Sequence, residues 1–201
     1  MALENLTQTI AYYTPIIEQN TREFLFATKE RALLILKAPL TNPDMLWLLV
    51  PLILTMLLLE FYFGRYKEEE LGWNTAFGNS LVLIFISVSL VRHLYTNSLW
   101  NETNIIVVSA LITFGLLLTM IDFYHLLPKE MAYGISSKIP LNFIAYVAIT
   151  LVYIELPIDY ITASAFLTIL LLLFILVGII HFTTPKPGDN KESLRQASKD
   201  S

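Results

Sequence analysis

Ionisable and amide side chains lie inside the long apolar segments of this chain, where each of them is costly to insert. A charged group near the centre of a bilayer costs about 2.5–3.5 kcal/mol on insertion scales, and less toward the ends of a span. Such groups are therefore expected to turn inward or to find a partner. When the segments are threaded back and forth across a membrane, one set falls near the same surface: Glu60, Asn79, Ser80, Asp122, His125, Asn142 and His181.

This first set could form an ion pathway. Glu60 and Asp122 would make an acidic vestibule at one surface, and hydroxyl groups would continue it as a track that water can wet. A proton or another cation could then cross, with the protein acting as an oligomer. The competing interpretation is structural, since the same side chains could merely hold five helices together. The track residues are Tyr146, Tyr153 and Thr168, with Arg92 at the far end.

A second set of charged side chains falls near the opposite surface. Arg92 and His93 lie toward the end of the second apolar segment, and Glu155 and Asp159 flank the turn between the fourth and fifth segments. Opposite charges at one depth in a membrane favour an ion pair. We therefore expect Arg92 to pair with Glu155 or with Asp159.

A metal-dependent hydrolase within the membrane is a further alternative. Asp122 and His125 are spaced as i and i+3, which places two zinc ligands on one helix face, and His181 at the same depth could be a third. The chain has no His-Glu-x-x-His pair and no Gly-x-Ser-x-Gly turn, the usual signatures of such enzymes. The sequence therefore predicts no metal site, no catalytic residue and no cofactor.

The apolar segments that carry these residues are each long enough to cross a bilayer. A hydrocarbon core about 30 Å thick needs roughly 20 helical residues at 1.5 Å per residue. The composition agrees, because 55% of the residues are hydrophobic, 15% are charged and the mean hydropathy is +0.61. The sequence predicts an all-α polytopic membrane helix bundle with five transmembrane helices, at residues 45–63, 75–95, 104–127, 139–156 and 159–182.

An N-terminal segment, residues 1–44, precedes the five-helix domain of residues 45–182. Its apolar residues recur at three- and four-residue steps, the period of an amphipathic helix. Thr14 and Pro15 predict a break between two helices, because threonine caps a helix start and proline fits its first turn. We expect the apolar end of this segment, Ala32–Leu40, to lie in the headgroup region or to pack on the bundle. Residues 183–201 are polar and are predicted to be a disordered tail.

Small and polar residues within the spans predict which helix faces point inward. On the third span, Asn104, Gly115 and Asp122 share one face. The second span carries two such stripes, so we expect it to be central in the bundle. Pro157 leaves only a tight turn between the fourth and fifth spans, which predicts that these two are adjacent and antiparallel.

Charge and composition limit the partners and the orientation. The net charge of −4 leaves no basic face for nucleic acid, and the lack of cysteine excludes disulfides and thiolate metal sites. The expected partners are the lipid bilayer and either a second copy of the chain or another membrane protein. Lysine and arginine near the spans are divided about eight to four between the two sides. This bias predicts a cytoplasmic C-terminus and an N-terminus outside.

Overall fold

The computed structural model describes residues 2–65 and 72–183, with the side chains of residues 17–62, 65 and 72–183. These residues are almost entirely helical and contain no β-strand, which confirms the all-α prediction. The predicted tail lies, from residue 184 onward, outside the described residues. In chain order the helices are α1 (Ala2–Thr41), α2 (Pro43–Arg65), α3 (Trp73–Asn97), α4 (Glu102–Tyr124), α5 (Lys129–Ile135), α6 (Lys138–Tyr153) and α7 (Tyr160–Thr183).

Five helical stretches are long and apolar enough to cross a bilayer, as the sequence predicts. Four of them are single helices: α2, α3, α4 and α7. The fourth stretch in chain order, Lys129–Tyr153, combines the short α5 with α6. The sequence did not predict α5, because a helix of seven residues is too short to show a helical period. This architecture is that of a multi-pass membrane protein.

Consecutive spans run in opposite directions, so alternate helix ends meet at one level. The last turns of α2 and α7 meet the first turn of α6 at what we call the Glu60 end, where Glu60 contacts Lys138. The last turns of α3 and α6 meet the first turn of α2 at the opposite end of the bundle. We call it the Arg92 end, because Arg92 and Asp44 line one cavity there.

α1 is one continuous helix of 40 residues, so the predicted break at Thr14 and Pro15 is wrong. A proline inside a helix removes one backbone hydrogen bond and can bend the helix without ending it. The helix ends at Thr41 instead. There the carbonyl oxygen of Ala38 accepts hydrogen bonds from the backbone N–H and the side-chain amide of Asn42, at 3.1 and 3.2 Å.

The second half of α1 packs on the bundle. Ala32 and Ile35 are buried in one apolar cluster with Phe166 of α7. Nearby, the ring of Phe24 stacks on Tyr160 with 6.0 Å between the ring centroids. Of the two positions expected for the N-terminal segment, packing on the bundle is therefore correct for its second half.

α6 is the central helix, whereas the sequence predicted the second span, α3, for that place. α6 packs against α2, α3 and α4, and its span is 44% buried, compared with 33% for α3. Ala145 and Ala148 are buried on α6, and such small side chains let neighbouring helices come close. α3 does have neighbours on two sides, α4 and α6, as its two stripes indicated.

α3 and α4 form the most extensive helix pair. A Cβ atom on Gly115 of α4 would lie 3.1 Å from the Cβ atom of Leu83 on α3, so only glycine allows the helices this approach without a shift. Gly115 is buried together with Asn104 and Asp122. The predicted inward face of the third span is therefore confirmed.

α7 packs mainly on α1 and α2. It meets α6 through aromatic side chains, with Phe166 edge-to-face on Phe143 at 6.4 Å between centroids. The fourth and fifth spans are therefore not the closely packed pair that the sequence predicts, since α7 packs on α1 and α2 and reaches α6 through these rings. Ile35 of α1 lies in the same apolar cluster.

Candidate ion site

Three ionisable side chains from three helices meet at the Glu60 end. Glu60, in the last part of α2, lies between Lys138 at the start of α6 and His181 near the end of α7. The Lys138 Nζ atom is 3.1 Å from Glu60 Oε1, and the His181 Nε2 atom is 2.9 Å from Glu60 Oε2. We call these three residues the Glu60 cluster.

The cluster is closed on one side and open on the other. The side chain of Glu60 is 1% exposed and that of Lys138 is 10% exposed, whereas that of His181 is 41% exposed. Glu60 and Lys138 cancel in charge, so a proton on His181 would give the cluster a net charge of about +1. His181 is the member of the cluster that reaches the surface, although its Nε2 atom is itself buried against Glu60.

A second polar group lies at the same end, around Asp122. The Ser136 hydroxyl donates to Asp122 Oδ2 at 2.8 Å, and the Asn79 side-chain amide donates to the Ser136 carbonyl oxygen at 2.9 Å. The Thr119 hydroxyl donates to the Ser80 hydroxyl at 3.3 Å. Asp122 is 1% exposed, and its Oδ1 atom has no hydrogen-bond partner within the described part of the chain. We call these five residues the Asp122 group.

The link between α5 and α6 connects the two groups, since Ser136 belongs to one and Lys138 to the other. Asn142 is buried one helical turn after Lys138. The structure thus brings most of the first predicted set to one end of the bundle.

Two predicted residues, His125 of that set and Tyr146 of the track, belong to neither group. His125 is the exposed residue that ends α4, with a φ of 53°, and its ring packs on Trp73 at 4.1 Å between centroids. The Tyr146 hydroxyl donates to the carbonyl oxygen of Ile35 at 3.2 Å and so ties α6 to α1. Tyr146 therefore serves helix packing here.

The alternative zinc site is not assembled. His181 contacts Glu60, whereas His125 stacks on Trp73. Over the described ranges, no three His, Cys, Asp or Glu side chains are grouped so that they could hold a metal ion.

Between its two ends the bundle interior is apolar. Leucine, isoleucine, valine and alanine fill the main core, including Leu83, Leu90 and Leu111. Ser87 and Thr150 are buried within it, and both hydroxyls donate to carbonyl groups of their own helices, at 2.7 and 2.8 Å. These hydroxyls are therefore already satisfied by the backbone.

The predicted hydroxyl track does not run through this core. Thr168 is exposed on α7, and its hydroxyl donates to the Ser164 carbonyl oxygen at 2.8 Å. Tyr153 stacks on His93 at the Arg92 end, with 3.9 Å between centroids. The track residues thus face different surroundings.

The expected ion pair at the Arg92 end does not form between the described side chains. Glu155 Oε2 accepts a hydrogen bond from the Asn101 amide at 3.3 Å, and Asp159 Oδ1 accepts one from the Thr162 backbone N–H at 2.7 Å. Arg92 instead lines a cavity with Asp44. The depth in the membrane that the sequence predicts for these groups was correct, and all of them lie at the Arg92 end. The sequence did not show that they lie on different sides of the bundle.

Asp159 caps the start of α7, and the cation near its carboxylate is Arg31 of α1. The Thr162 N–H and hydroxyl, followed by the charge of Arg31, lower the pKa of the Asp159 carboxyl from its ordinary value. The Arg31 guanidinium donates to the Thr162 hydroxyl at 2.9 Å. The arginine that serves this carboxylate therefore comes from α1, not from α3.

Sequence reasoning missed Lys138 and Arg31 as site residues. Lys138 was not among the predicted site residues, although a lysine in the first turn of a span lies at the depth predicted for Glu60. That shared depth was the available signal. Arg31 gave no such signal, because nothing in the sequence says that α1 lies beside the start of α7.

Comparison with protein-family models, with curated proteins and with solved structures finds no match to this chain. The functional argument therefore depends on the chain's own residues.

Proposed function

We propose that this multi-pass protein moves a proton or another cation across the membrane, with the Glu60 cluster as its ion-handling site. The observation that carries the proposal is a buried carboxylate held between a lysine and a partly exposed histidine, each from a different helix. Ionisable residues inside membrane spans are rare, and they commonly mark ion pathways and proton relays.

The cost of burial supports a functional role. Removing a charged pair from water costs several kcal/mol per ion, and apolar residues of similar volume often hold helices together as well or better. Helix packing alone would therefore not require Glu60, Lys138 and His181 in this place. Because Glu60 contacts Lys138 of α6 and His181 of α7, a cation bound at Glu60 would change the attraction between these helices, which links ion uptake to helix position.

The Asp122 group supplies a second acid at the same end. The Oδ1 atom of Asp122, which has no hydrogen-bond partner among the described residues, can accept a hydrogen bond once water reaches it. The apolar core seals the route from this end to the Arg92 end, so the proposal is for a transporter that changes conformation, not for an open channel. The protein would act as an oligomer in the membrane.

Flux in vesicles tests the proposal. We would reconstitute the full chain in liposomes that contain a pH-sensitive dye, impose a potential with potassium and valinomycin, and follow internal pH. Proton flux is expected in the wild type and should fall at least tenfold in Glu60→Gln and in Asp122→Asn. The matched control is Glu130→Gln, an exposed acid at the same end, which should leave flux unchanged.

Two results would count against the proposal. One is no flux of protons, sodium or potassium in the wild type, and the other is equal flux in Glu60→Gln. Melting temperatures in detergent show whether each variant is folded.

A non-catalytic accessory subunit of a larger membrane assembly is the second candidate. The observation that favours it is the open face of α7, where a Cβ atom on Gly178 would meet nothing within 4 Å. A partner helix could approach closely there. This candidate predicts a stable partner that copurifies in mild detergent and is lost in Gly178→Leu, while the fold and the Glu60 cluster stay intact.

A further inference from the structure

A cavity of about 390 Å³ lies at the Arg92 end, away from the Glu60 cluster. Its volume is within the range of small-molecule sites, roughly 300–1,000 Å³. Three helices build it: α2 supplies Asp44 and Trp47, α3 supplies Arg92 and His93, and α6 supplies Tyr153. The cavity is therefore made by the tertiary fold and not by a single loop.

Opposite charges line this cavity without neutralising each other. Arg92 is exposed, and among the described side chains (residues 17–62, 65 and 72–183) it forms no ion pair with Asp44 or with any other acid. Asp44 is near enough to act electrostatically on both His93 and Tyr153. A cation and an anion on separate walls of one cavity leave room for a ligand with the complementary pair of charges.

In its neutral form the His93 ring has a hydrogen-bond donor at Nε2. The Asn97 side-chain nitrogen lies 3.2 Å from His93 Nδ1. An amide nitrogen can only donate, so Nδ1 accepts and Nε2 carries the proton in the neutral ring. Stacking on Tyr153 at 3.9 Å holds the ring plane. Arg92 and His93 together thus offer donors to an anionic group.

The other wall suits a cationic group. Asp44 offers a carboxylate, and Trp47, which is 75% exposed, lines the same cavity with an indole ring. Indole faces attract ammonium groups, and tryptophan is common at the headgroup level of membranes. The Arg92 end is the end of the spans, where headgroups lie.

We infer that the cavity binds a zwitterion, with its phosphate or carboxylate at Arg92 and its ammonium at Asp44. A phosphatidylethanolamine headgroup and a free small zwitterion share this chemistry. The inference stands whether or not the protein moves ions, because it uses none of the residues of the Glu60 cluster or the Asp122 group.

Calorimetric titration of the full chain in detergent tests the inference with three probes. They are dihexanoylphosphatidylethanolamine, free phosphoethanolamine and dihexanoylphosphatidylglycerol, which has the phosphate but no amine. The ethanolamine lipid should bind, and both Arg92→Gln and Asp44→Asn should weaken that binding at least tenfold. Arg92→Lys should keep part of the affinity, because it retains the charge.

Matched controls are Arg22→Gln and Glu102→Gln, which remove exposed charges outside the cavity and should leave binding unchanged. Binding of free phosphoethanolamine as tight as that of the lipid would assign the site to a soluble zwitterion, and much weaker binding would assign it to a lipid. Either result supports the inference. It is overturned if neither amine probe binds, if Asp44→Asn leaves binding intact, or if the glycerol lipid binds equally well.

Discussion

Glu60 is an acid that depends on its neighbours. A single truncation at Lys138 leaves a buried carboxylate without its lysine, and such losses cost about 3–5 kcal/mol. We therefore expect Lys138→Met to lower the melting temperature strongly in detergent, and the double variant Glu60→Gln with Lys138→Met to recover most of the loss. The control Glu130→Gln should not change stability. If the two changes instead add, the Glu60–Lys138 contact does not stabilise the fold.

Asp159 gives a pH dependence whose sign follows from its lowered pKa. A carboxyl with a folded-state pKa below its ordinary 3.8 stabilises the fold above that pH, and the effect is lost as pH falls through the folded-state pKa. Asp159→Ala should thus melt at a lower temperature than the wild type at pH 7. The difference should stay constant down to about pH 5 and shrink below pH 4. A difference that grows on acidification would contradict this assignment of the charge state.

The membrane depth predicted from the sequence identified the buried acids but not the residues that pair with them. Glu60 and Asp122 stood out because an acid inside an apolar run has few explanations. Lys138 did not stand out, since a lysine at a span boundary usually reaches the headgroups. The pairing of Arg92 failed for a related reason. Depth fixes one coordinate of a side chain, whereas the direction around the helix axis depends on which helices are neighbours.

The contact between α3 and α4 depends on Gly115. A side chain there must push against Leu83, at 3.1 Å from the new Cβ, and against Ile84. Overpacking of this kind costs typically about 1–3 kcal/mol. We expect Gly115→Leu to lower the melting temperature in detergent, while Gly178→Leu, at an open position on α7, leaves it nearly unchanged. Equal losses in the two variants would contradict a role for the Gly115 contact, because helix propensity favours leucine over glycine at both positions.

The five long helices could be predicted from hydropathy alone, because each has to match the thickness of a bilayer. Two other properties of the helices could not be predicted in this way. α1 continues through Pro15, because a proline costs a helix one backbone hydrogen bond without requiring it to end, so the pair Thr14-Pro15 did not mark a boundary. The central place of α6 depends on Ala145 and Ala148, whose small size matters only once neighbouring helices are present.

The threading of the whole chain can be tested directly, because it contains no cysteine. Single cysteines at Glu102 and Glu130 would sit in exposed positions at the Arg92 end and the Glu60 end. With the C-terminus in the cytoplasm, Glu102→Cys should react with a membrane-impermeant maleimide in intact cells, and Glu130→Cys only after permeabilisation. The reverse pattern would invert the orientation. Reaction of both in intact cells would rule out the five-span threading.

The Glu60 cluster also imposes an order on biosynthesis. Glu60 leaves the ribosome roughly 4 to 16 seconds before Lys138, at about 5–20 residues per second, and His181 follows later still. α2 therefore enters the bilayer before Lys138, the cation that pairs with its acid, has been made. The nascent chain carries an unmatched carboxylate at the lipid boundary until α6 and then α7 insert, and the last helix to be translated completes the surroundings of the first span.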